Sequence, residues 1–88
     1  MNIIAHRGNI NGPNAKENDP NYLLSAIKTN FDVEVDVWFI NNKWVLGHDY
    51  PAYEVEQDFF NNRMWLHCKN TPAVEQLYKT NLNWFWHE

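Results

Sequence analysis

A single cysteine, Cys68, stands in 88 residues. One thiol excludes an internal disulfide and a cysteine-rich zinc site, and it points to a reduced, intracellular protein. Lysine and arginine number 7 against 11 acidic residues, for a formal charge of −4, and they do not cluster. The basic patch that tracks a nucleic-acid backbone is therefore missing, and nucleic acid is not an expected partner. No apolar run reaches the length of a membrane span, and MNIIAHRGN lacks the charged-then-apolar pattern of a signal peptide. Cytoplasmic localisation is the expectation that follows. Internal repeats, linkers and low-complexity segments are absent too, so residues 1–88 read as one unit.

What the chain has in quantity is large side chains: five Trp, four Tyr and five Phe, in a composition that is 44% hydrophobic. That composition specifies a packed globular unit. A chain of this length buries only roughly 60–65% of the surface its unfolded form shows. So many aromatic rings exceed what so small a volume hides, and further sequence, a larger partner or self-association is expected to cover some of them.

Periodicity orders the elements. The apolar run Asn2 to Ala5, broken by His6, Arg7 and Gly8, reads as a buried strand feeding a loop that lasts to Asp19. Asp19-Pro20 is an N-cap followed by proline at the first helical position, and Tyr22, Leu23, Ala26 and Ile27 recur at helical spacing, predicting a helix over Pro20 to Thr29. Asp32 to Ile40 alternates with period two, Asn41-Asn42 signals a turn, and Lys43 to Gly47 is β-rich again. Asp49 to Asn62 reads as irregular, and Met64 to Lys69 as a strand. Thr71-Pro72 with Glu75 caps a helix through Lys79, and Asn83 to His87 closes with a strand. Strands alternating with helices predict an α/β fold with mostly parallel strands, right-handed crossovers and a β-hairpin excursion after the second strand.

In the strand DVEVDVWF, Val33, Val35 and Val37 share one face, and Glu34, Asp36 and Trp38 share the other. Residues two apart lie roughly 6.5–7 Å from one another along a strand, so both carboxylates can converge on one hard cation. An amphipathic strand with acids facing water has the same pattern. His6-Arg7 follows the first strand and His48-Asp49 follows the hairpin, and strand ends gather at one edge of a parallel sheet. Arg7 suits a phosphate oxygen, a cation on Glu34 and Asp36 would neutralise the same group, and two imidazoles divide acid and base work near neutral pH. The set is coherent for phosphodiester chemistry.

AHRG at 5–8, EN at Glu17-Asn18, EVDV at 34–37 and GHD at 47–49 stand in the order and approximate spacing of the glycerophosphodiester phosphodiesterases. The chain resembles that family, within the phospholipase-C-like phosphodiesterases, over its N-terminal half. The resemblance implies a TIM (β/α) barrel, one divalent cation such as Mg or Ca, and hydrolysis of a small-molecule phosphodiester to an alcohol and a phosphomonoester. It implies His6 and His48 as the acid/base pair, Glu34 and Asp36 as metal ligands, and Lys69 beside Arg7 as a substrate-phosphate contact. The family's reaction proceeds by attack of a substrate hydroxyl on phosphorus, and water then opens the cyclic phosphate.

The chain also departs from the pattern. The family's E-x-K, which supplies a third acidic ligand, is HCK here, with His67 in place of the acid. As a ligand His67 favours Zn or Mn; otherwise it is a hydrogen-bonded neighbour of the site. Lys16 replaces the usual proline before EN, and Asp19 the usual threonine after it. Glu17 either orients Arg7 or simply precedes the helix, and His87 stands at a later strand end as a further site candidate. A barrel takes about 250 residues. The expectation for 88 is thus the N-terminal half of one, a fragment or a truncated relative that needs the remainder of the barrel or self-association. Two rival readings share these residues: a phospholipase-D-like toxin relative, and a non-catalytic binding or structural remnant.

Overall fold

In the computed structural model, which describes residues 3–9 and 16–86, the acid-and-valine stretch forms the central strand of the sheet. In chain order the elements are β1 (Ile4–His6), α1 (Pro20–Lys28), β2 (Asp32–Ile40), β3 (Lys43–Leu46), β4 (Tyr53–Val55), a 3-10 turn (Gln57–Phe59), β5 (Met64–Cys68), α2 (Thr71–Leu77) and β6 (Asn83–Trp86). The sheet runs β4-β3-β2-β5-β6, with β1 also paired to β2. β1, β5 and β6 enter it by parallel pairings, whereas β2–β3 and β3–β4 are antiparallel.

The half-barrel expectation is overturned by this topology. The described residues form a mixed sheet of six strands with two short helices, and more sheet than helix. A barrel of βα units needs a helix after each strand. Only the β1–β2 and β5–β6 connections carry one here, and the chain between β2 and β5 folds back twice as antiparallel hairpins. Asn41-Asn42, Gly47 and Pro51 punctuate that segment too often for a helix to run through it.

Local chemistry sets each element. Asp19 caps α1, accepting from the amide of Asn21 at 2.9 Å, and Pro20 fills the first turn, where no amide is needed. Asn30, with φ of 74°, ends it in the left-handed conformation. α2 is capped by Asn70, one residue before the expected Thr71. Asn41 and Asn42 both have positive φ, 52° and 67°, the two-residue turn that matches strand twist in a tight hairpin. β4 lies inside the stretch read as irregular; three residues are too few for periodicity to declare a strand.

The alternation of β2 sorts the two faces. Val33, Val35 and Val37 stand beside Met64, Leu66 and Cys68 of β5, and pack with Leu23 and Ala26 of α1 and Ala73 and Leu77 of α2 in one core. At one corner Trp44 meets Phe39 at 4.9 Å and the edge of Phe60 at 5.2 Å. Among the described residues no helix covers the opposite face; register places His6, Glu34, Asp36, Trp65, His67 and Phe85 there. Trp65 is 39% exposed on that face. Among the described residues no helix is long and apolar enough to cross a membrane.

Candidate functional site

The candidate site lies where the edge of β2 opposite β5 changes partner. The β1 ladder ends with the amide of Arg7 donating to the carbonyl of Glu34 at 2.7 Å. The β3 side begins with Gly47 donating to the carbonyl of Asp36 at 3.1 Å. Between them the amide of Asp36 faces no strand, and the side chain of Asn18 takes that place: its Oδ1 accepts at 2.9 Å, while its Nδ2 donates to Asp36 Oδ2 at 2.9 Å. Asn18 and Asp36 are both fully buried.

Backbone conformation serves the same junction. Arg7 and Asn18 have φ of 54° and 64°. Asparagine adopts that region readily, whereas a bulky residue holds it only where its surroundings fix it. Arg7 is so fixed, its amide on Glu34 and its carbonyl accepting from Asn18 at 3.0 Å. At Gly47 (φ 157°) a Cβ would lie 1.9 Å from the carbonyl oxygen of Tyr50, so the turn that delivers His48 admits only glycine.

Asp36 is the centre of the charges. Its Oδ1 faces His67 Nδ1 at 3.0 Å, and its Oδ2 has Arg7 Nε at 3.1 Å, an ion pair without the alignment of a hydrogen bond. Arg7 in turn donates from a terminal nitrogen to Glu17 Oε2 at 3.0 Å, so Glu17 orients the guanidinium. Burial works against the Arg7 charge, but the bond to Glu17 and the attraction of Asp36, Glu17 and Glu34 outweigh it and hold its pKa above the ordinary arginine value. Phe85 stacks on the His67 ring, centroids 4.8 Å apart and planes within 3°.

The other expected residues surround this network. His6 is bound through Nδ1 to Glu34 Oε1 at 3.1 Å and is otherwise open, its side chain 72% exposed. His48 pairs with Asp49 at 2.9 Å and borders a cavity of about 170 Å³ whose wall includes Glu17, Tyr50 and Tyr53. Glu17 thus stands between Arg7 and His48. Lys69 follows β5, its amide on the carbonyl of Val37 at 2.8 Å. His87 lies outside the described residues.

These side chains, as arranged, do not fit a divalent cation. Both Asp36 oxygens are engaged by His67, Asn18 and Arg7, and a guanidinium stands where a second cation would be repelled. Among the described residues no three His, Cys, Asp or Glu side chains form a metal-holding group. Two contributors escape a reading of the sequence. Asn18 reaches Asp36 across 18 positions, with only its place in the EN pair as a signal. Phe85 meets His67 through the β5–β6 register, which has no local signature. No family model, curated protein or solved structure matches the chain.

Proposed function

We propose that this protein is a cytoplasmic phosphodiesterase acting on small glycerophosphodiester-type substrates. One observation carries the reading: three of the four stretches that resemble the phosphodiesterases contribute side chains to a single network. Arg7, Glu17 with Asn18, and Asp36 come from separate parts of the chain, and the fourth stretch enters beside them through the amide of Gly47.

Arg7, aimed by Glu17, supplies the cation for a phosphate oxygen. A substrate hydroxyl attacks phosphorus as one imidazole takes its proton; the ester P–O bond breaks as the other imidazole protonates the departing alcohol. Water then opens the cyclic phosphate with the two roles exchanged. His6 and His48 are assigned this pair of tasks, and no step passes through a metal.

The test is release of glycerol phosphate from glycerophosphocholine by the full chain. Turnover should fall about 10²–10⁴-fold in His6→Ala and in His48→Ala. No release, or release undiminished in both variants, overturns the proposal. The full engagement of Asp36 favours one second reading, a non-catalytic binding protein; binding of glycerophosphocholine without turnover would support it.

A further inference from the structure

We propose that His67 is the general base for the attacking hydroxyl and that Asp36 is its positioning residue. The inference rests on the phosphodiesterase reading and deepens it: the base's task in the attack passes from the His6 and His48 pair to His67, and that pair keeps protonation of the departing alcohol and activation of the water. It also replaces the role of cation ligands for His67 and Asp36.

The described histidines differ in how firmly each is held. His6 is 72% exposed at the end of a short strand. His48 leans on Asp49, a carboxylate that is itself 83% exposed. His67 pairs instead with a fully buried carboxylate, and its side chain is 19% exposed. One face of its ring is covered by Phe85. Asp36 cannot turn away, because Asn18 holds both its Oδ2 and its amide and Arg7 stands against the same oxygen. A carboxylate only accepts, so the proton of a neutral His67 ring sits on Nδ1 and the lone pair on Nε2. Nε2 has no hydrogen-bond partner among the described residues. A buried acid that fixes the tautomer and plane of an imidazole, leaving Nε2 for a hydroxyl, is the arrangement by which hydrolytic triads raise a nucleophile.

The substrate hydroxyl passes its proton to Nε2 while its oxygen bonds to phosphorus. The ester P–O bond breaks, and the alcohol takes a proton from His6 or His48. The resulting imidazolium is stabilised by Asp36, which keeps its place on Nδ1–H.

Two measurements on the full chain test this. Long-range proton–nitrogen NMR should find His67 protonated on Nδ1 with an acceptor-type Nε2, and Asp36→Asn should lose that signature while circular dichroism stays native. An Nε2–H tautomer in the native chain overturns the proposal. In the presence of a chelator, hydrolysis of glycerophosphocholine should fall about 10²–10⁴-fold in His67→Ala and recover in part with added imidazole. Native turnover that survives His67→Ala or His67→Gln overturns this inference alone. A native chain with no turnover fails the phosphodiesterase reading, and the inference with it.

Discussion

Asp36 is a charge with no solvent of its own: Asn18, Arg7 and His67 replace water around it. Such a carboxylate is stable only while its partners stay, because a buried charge left alone costs several kcal/mol. Among the described residues Cys68 is the other buried titratable group, on the opposite face, where burial pushes its thiol up to about 11. The unfolded thiol ionises near the ordinary value of 9.0. The neutral buried thiol therefore contributes stability that is fully present below that value and is lost as pH rises through about 11. In urea denaturation, the stability of the native chain relative to Cys68→Ala should hold constant below about pH 8 and shift in favour of the variant at higher pH. A pH-independent difference would show that the thiol titrates alike in both states.

At the scale of elements, the two helix caps look alike and differ in reach. Asp19 binds only the first turn of α1, whereas Asn70 caps α2 and also exchanges two hydrogen bonds with the backbone of Phe39, each 3.1 Å. Asp19→Ala should cost about 1 kcal/mol, the ordinary worth of a cap. Asn70→Ala should cost about 2–3 kcal/mol, since the end of β2 loses its donor and acceptor as well. Equal losses on chemical denaturation would mean that water replaces Asn70 at Phe39. Asp19 is readable from its neighbour Pro20, whereas the Thr71-Pro72 pair points to a cap one residue after the one the structure uses, Asn70.

At the scale of the whole molecule, one core joins the sheet to both helices. Unfolding should therefore be a single event, with tryptophan fluorescence and far-ultraviolet circular dichroism giving coincident transitions. Separated midpoints would divide the β3–β4 corner from the rest. The alternation of β2, the span of α1 and the Asn41-Asn42 hairpin were legible because each depends on neighbours in the chain. The approach of Arg7 to Asp36 was legible from the placing of strand ends, whereas Glu17 reads equally well as a residue that simply precedes α1. The architecture was not legible: whether β2 is followed by a crossover or by hairpins depends on pairings up to 31 positions apart, such as His67 with Asp36. For the same reason two of the residues expected to share a cation, Asp36 and His67, are bonded to each other, and the third, Glu34, to His6.

The change of partner along β2 has a consequence for how the molecule comes into being. The β2–β3 hairpin closes over two residues and can form within microseconds, whereas His6 must find Glu34 across 28 positions and His67 must find Asp36 across 31. Folding should therefore start at the Ile40 end of β2, where the hairpin closes, and proceed toward Asp32. The hairpin brings Gly47 to Asp36, but Arg7 and His67 can reach Asp36 only when β1 and β5 dock, so the site is complete only once the longest-range pairings are made.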